Sequence, residues 1–172
     1  MKELPSMWRT ELLHPLFVHF PIALLTLSTV VVLLYRLKLI PRWNKGLAFM
    51  ALALLVPGTL LAWVSVITGV QADNVVGREV CDPTVLEDHE RFAYLTAWLF
   101  TGVTLLEIAL QSWKRSIFDP GRKLRKIFST LSILLALGGA VSISYVGHLG
   151  AKLVYQQAAA VHQPSKDCEE FE

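Results

Sequence analysis

The stretch LFVHFPIALLTLSTVVVLLY, residues 16–35, contains no Asp, Glu, Lys or Arg. A bilayer core about 30 Å thick is crossed by roughly 20 helical residues, so this run reads as a lipid-spanning helix. Residues 46–70 and 127–151 are equally free of those four residue types. Residues 92–113 are interrupted only by Glu107, near their far end, where a carboxylate is expected to reach the interface. The expectation is an all-α membrane protein: one domain over residues 1–172, folded as a four-helix up-down-up-down transmembrane bundle.

Composition agrees. Of 172 residues, 53% are hydrophobic and 17% charged, with a mean hydropathy of +0.48, outside the range of ordinary soluble domains. The first span has no basic region just before it and no small-residue cleavage motif after it, so it is expected to be retained rather than removed as a signal peptide. No internal repeat or low-complexity segment is expected. Trp8, Trp43 and Trp113 fall near span ends, where indoles favour the headgroup layer.

Charge sets the orientation. The loop at 36–45 carries Arg36, Lys38, Arg42 and Lys45, and that at 114–126 carries Lys114, Arg115, Arg122, Lys123, Arg125 and Lys126, against sixteen basic residues in the whole chain. Basic loops stay on the cytoplasmic side. Both termini are therefore expected outside, periplasmic in a bacterial inner membrane. The same basic residues touch anionic lipid, and no nucleic-acid partner is expected.

This orientation gathers the histidines. His14 and His19 open the first helix, His89 opens the third, His148 closes the fourth, and His162 follows in the outer tail. Ionisable residues at membrane depth are functional-site residues by default, although interfacial histidines also serve as ordinary amphipathic edge residues. Small-residue faces lie beneath them, as with Ala140 and Ala136 below His148, and Gly58, Ala62, Ser65 and Gly69 leading to Asp73. Such faces leave room for a flat macrocycle, and they equally allow helices to pack closely with no cofactor. Haem b is the first expected occupant, with His19 and His148 as axial pair, His89 close behind and His14 as a further ligand residue. His14 and His19 differ by about 140° around a helix and cannot face one centre together. Pro15 is expected to open the helix and leave His14 outside it. A transition-metal ion held by His19, His89, His148 and Asp73, with Glu90 nearby, is the competing reading.

At His14-Pro15-Leu16-Phe17-Val18-His19-Phe20-Pro21-Ile22-Ala23-Leu24-Leu25, at His89, and at His148-Leu149-Gly150-Ala151-Lys152-Leu153-Val154-Tyr155, the chain resembles a bacterial membrane family known as domain-of-unknown-function family 2231. Members usually carry glycine where Ala151 and Ala158 stand here. The resemblance implies a four-helix bacterial membrane protein often found with haem or redox proteins, similar in layout to small b-type cytochromes. The expected function is then a b-type cytochrome-like subunit exchanging electrons with a periplasmic redox protein, or with a membrane partner such as a quinone. An oligomer or a larger membrane complex is expected as its assembly. A histidine-based metal protein or enzyme, and a cofactor-free structural or assembly subunit, are the alternatives.

Cys81 and Cys168 both fall on the outer side, where thiols tend to pair. A disulfide between them would draw the acidic tail across the bundle as a lid, stabilising the fold by roughly 4 kcal/mol. The topology itself is checked by reporter fusions. A periplasmic reporter enzyme fused after Glu172 is expected to be active and one fused at Asn44 inactive; the opposite pattern reverses the orientation.

Overall fold

The structure, a computed structural model, describes residues 6–113 and 121–161. A 3-10 turn at Thr10–Leu12 leads into α1 (Leu13–Arg36), and a second at Pro41–Trp43 leads into α2 (Asn44–Val76); α3 (Pro83–Trp113) and α4 (Arg122–Gln157) follow. All four helices are long and apolar enough to cross a membrane. No strand occurs among the described residues.

The helices outrun the apolar runs that announced them. Hydropathy marks only the part of a helix that needs lipid, whereas the hydrogen-bond ladder continues until something ends it. Helix α2 continues to Val76, and α3 begins at Pro83, whose missing donor and fixed φ suit a first turn. Asp82 precedes it, accepting hydrogen bonds from the Thr84 hydroxyl at 2.6 Å and the Thr84 N–H at 3.0 Å. Those two bonds hold its carboxyl below the usual carboxylate range. The Asp82 N–H donates to Gln157 Oε1 at 2.8 Å, tying the start of α3 to the end of α4. His89 therefore sits inside α3 rather than opening it, and His14 lies within the first turn of α1 rather than outside it.

Core positions recur every seven residues, the spacing of a left-handed bundle seam. Pro21, Leu25, Ser28, Val32 and Tyr35 are buried on α1, and Thr96, Phe100, Val103, Glu107 and Leu110 on α3. Adding 75 to each number of the first set yields the second. The same relation, with an offset of 81, carries Gly58 and Gly69 of α2 onto Gly139 and Gly150 of α4. The contacts follow the numbers. Leu25 fills the space beside Gly58 and Phe100 that beside Gly139, while His14 lies against Gly69 and His89 against Gly150. In each hairpin the residue numbers rise along one helix as they fall along its partner, so the two helices are antiparallel.

The expectation of no internal repeat is thus corrected. The bundle is two equivalent helical hairpins, α1–α2 and α3–α4, of the parallel kind whose axis runs along the bundle. Packing is closest within each hairpin; each helix of one hairpin flanks a helix of the other, with α1 and α3 diagonal. Side-chain identity hides the relation, because the glycine seats and heptad positions repeat while most residues between them do not.

One polar contact ties the end opposite the histidines. Arg36 of α1 donates from Nε to Glu107 Oε1 at 2.8 Å and from Nη2 to Oε2 at 2.7 Å, and Ser132 Oγ of α4 donates to Oε1 at 2.7 Å. Glu107 is 0% exposed, so it does not reach the interface as expected from its position, and Arg36 is drawn inward from the basic loop to meet it. The guanidinium also lies over the Tyr35 ring, 4.6 Å from its centroid. Between the hairpins, Thr59 and Thr104 share a hydrogen bond at 2.8 Å, and Trp63 Nε1 donates to Thr101 Oγ1 at 3.0 Å.

Removing one partner of a buried ion pair leaves an uncompensated charge, a loss of about 3–5 kcal/mol. Glu107→Ala is expected to lose that much in an unfolding titration of the purified protein, and Arg36→Lys, lacking the two-pronged donor, to lose stability as well; wild-type midpoints in both would remove the ion pair from its structural role. At the end of α4, Ala158 takes φ +54°, where glycine carries no steric penalty. Ala158→Gly is expected to gain about 1 kcal/mol in the same titration.

Candidate functional site

The helix ends that carry the histidines enclose a cavity of about 340 Å³. Its walls are mostly apolar, built from residues such as Val18, Leu25, Ala62, Ala93 and Ala97. Two imidazoles meet in it. His14 comes from α1 and His89 from the diagonal helix α3, with ring centroids 6.1 Å apart and ring planes at 89°.

Each ring is held the same way. His14 Nδ1 lies 2.9 Å from the Ser65 carbonyl of α2, and His89 Nδ1 lies 3.1 Å from the Val146 carbonyl of α4. A carbonyl only accepts, so Nδ1 carries the proton in both rings, and in the neutral imidazole Nε2 keeps its lone pair. The glycine one turn beyond each carbonyl makes the approach possible. A Cβ on Gly69 would stand 3.2 Å from His14 Nδ1 and Cε1, and one on Gly150 would stand 3.2 Å from His89 Cε1. Neither Nε2 has a hydrogen-bond partner among the described residues.

Two further features complete the site. Ser65, only 6% exposed, has a buried hydroxyl with no hydrogen-bond partner among the described residues. An orphaned buried donor is costly, by about 1–3 kcal/mol, so it marks a place where a ligand atom would be welcome. Glu11, Asp73 and Glu90 also line the cavity, from the 3-10 turn before α1, the end of α2 and the start of α3. Glu11 is paired with Arg9 at 3.2 Å.

The chemical capacity of this arrangement follows from the two lone pairs. Two imidazoles coordinating one ion from opposite sides would have their ring centres roughly 6 Å apart, from a metal–nitrogen bond of about 2 Å and a ring radius of about 1 Å on each side. Backbone carbonyls that hold Nδ1–H fix ring orientation and raise ligand basicity, as second-layer partners do in known metal and haem sites.

The other expected ligands lie elsewhere. His19 is exposed on α1, with Nδ1 2.5 Å from the Pro15 carbonyl, and His148 is exposed on α4; neither lines the cavity. The two residues expected as an axial pair are thus not brought into the cavity, because both fall off the heptad stripe that faces it. Of the expected metal set, His89 and Asp73 line the cavity, and no group of three His, Cys, Asp or Glu residues is arranged to hold a metal ion among the described residues. Cys81 is exposed before α3. Its expected disulfide partner Cys168, the tail expected to act as a lid, and His162 lie outside the described residues. A signal for His14 was present in the sequence: 14, 21, 28 and 35 form one heptad series, and 89, 96, 103 and 110 form its counterpart.

The model of a family described as "Predicted membrane protein (DUF2231)" matches residues 11–163. No curated protein and no solved structure matches the chain.

Proposed function

The chain belongs to the family of predicted membrane proteins DUF2231, and from that premise we propose that it is a small b-type cytochrome-like subunit that holds haem between His14 and His89. The observation that carries the reading is the pair of imidazoles meeting edge-on in the cavity, 6.1 Å between centroids, each with Nδ1 tied to a backbone carbonyl and Nε2 without a hydrogen-bond partner among the described residues. Haem, when bound, supplies one-electron chemistry. The protein's own residues supply the rest. Gly69 and Gly150 seat the rings, and the Ser65 hydroxyl offers a donor inside a mostly apolar wall.

By the positive-inside argument the basic loops are cytoplasmic, and this places the histidine end and both termini outside a bacterial inner membrane. The subunit then exchanges electrons with a periplasmic redox protein or with a membrane partner such as a quinone, alone or within a larger complex. A metal ion in place of haem would need ligands beyond the two imidazoles. A structural or assembly role would need no ligand at all.

Absorption spectroscopy of the detergent-purified protein distinguishes these. Reduced-minus-oxidised bands are expected, lost or strongly shifted by His14→Ala and by His89→Ala and unchanged by His19→Ala and His148→Ala. A normal spectrum in the His14 and His89 variants would end the haem reading. Bound metal by elemental analysis without haem bands would point to the metal site, and absence of both to the structural role.

A further inference from the structure

The two hairpins make each seam of the bundle an internal control for the other. The seam between α2 and α3 and the seam between α4 and α1 are built from equivalent positions, yet they differ beside the cavity. Ile22 of α1 is 37% exposed and its equivalent Ala97 of α3 is 1% exposed, although both line the cavity. Gly147 of α4 is exposed where its equivalent on α2 is Val66, 8% exposed. Hydrogen bonds Thr59–Thr104 and Trp63–Thr101 lace the first seam. Across the second, Thr29 Oγ1 reaches the Ala136 carbonyl at 3.5 Å, and no hydrogen bond joins α1 to α4 on the cavity side of it among the described residues. A Cβ on Gly147 would meet nothing within 4 Å.

From this departure from symmetry we propose that the histidine cavity is filled from the bilayer, through a lateral opening between α1 and α4 that admits the planar, lipid-dissolved ligand of the His14–His89 pair. The proposal rests on the haem reading for the identity of that ligand. Pro15, Ile22, Gly147 and Val154 are each exposed and each line the cavity, so the wall at this seam faces lipid on one side and the site on the other. The polar groups that await the ligand, the two Nε2 atoms and the orphaned Ser65 hydroxyl, lie inward of this apolar rim. The alternative route, from water at the helix ends, passes Glu11, Asp73 and Glu90, and no Lys or Arg is among the described residues lining the cavity. Like charge opposes the carboxylates of haem along that route, while the lateral route presents none.

Gly147→Phe is the variant to use. Its Cβ enters open space at the rim, and neither the imidazoles nor the glycines beside them are changed. The control is Ile67→Phe, on the lipid-facing surface of α2 away from the cavity. Ligand-free protein in phosphatidylcholine vesicles is mixed with haemin-loaded vesicles, and binding is followed by the growth of the bound-haem absorption band. Gly147→Phe is expected to slow uptake at least tenfold with the final spectrum unchanged, and Ile67→Phe to leave the rate alone. In parallel, Val18→Cys, a cavity-lining position, is labelled by pyrene maleimide dissolved in the bilayer, in a Cys81→Ser, Cys168→Ser background. Adding Gly147→Phe is expected to slow that labelling by a similar factor. Unchanged labelling with Gly147→Phe overturns the lateral opening whether or not haem binds. Slowed labelling in a protein that takes up no haemin upholds the opening and overturns the haem reading instead.

Discussion

A buried charge in lipid has no water to fall back on, and the bundle is organised around that constraint at Arg36 and Glu107. The guanidinium reaches across from α1 to the carboxylate of α3, and Ser132 of α4 satisfies the same oxygen that Arg36 Nε contacts. Three helices are thereby fixed in rotation and depth at one point. Apolar packing alone would not do so, because lipid tails are as good a neighbour as another helix's leucines. With that end held, the heptad stripes run in register to the other end, where α1 and α3 present His14 and His89 to each other.

The pairing of the histidines is a consequence of duplicated geometry. In both hairpins a bulky residue sits against a glycine in mid-helix, Leu25 on Gly58 and Phe100 on Gly139, and the histidine lies eleven residues before it, against a second glycine. Close approach at the glycines brings each ring to a carbonyl of the neighbouring helix. The ring orientation is thus set by backbone, which cannot change with side-chain identity, and this explains why Ser65 and Val146 serve the same purpose. A site assembled on diagonal helices also depends on both hairpins at once, so its geometry reports on the whole bundle.

Function is read from where the two halves agree and where they differ. They agree at the imidazoles, each held by a backbone carbonyl of the neighbouring helix, and the proposed haem site rests on that agreement. They differ at the seams, one laced by threonine and tryptophan hydrogen bonds and the other left with Gly147 at its rim. Duplication supplies the pair, and the two seams diverge beside the cavity that the pair shares.

By itself the sequence determined the four spans, the membrane class, the basic and acidic ends, and the end of the bundle at which the histidines gather. Those properties follow from local composition, because a lipid-spanning helix must be apolar over about 20 residues whatever it packs against. The family was also legible, in the His14–Leu25 string. Which histidines meet was decided only by tertiary structure. His19 lies deeper in the apolar run than His14 and looked the better ligand, but five residues along a helix turn the side chain by about 140°, and the rotation that counts is set by Leu25 on Gly58 and Arg36 on Glu107. Glu107 likewise looked interfacial until its partner came from the end of α1, 71 residues away. The internal repeat was hidden for the same reason. What repeats is a set of contacts between helices, and contacts become visible only when distant segments are brought together.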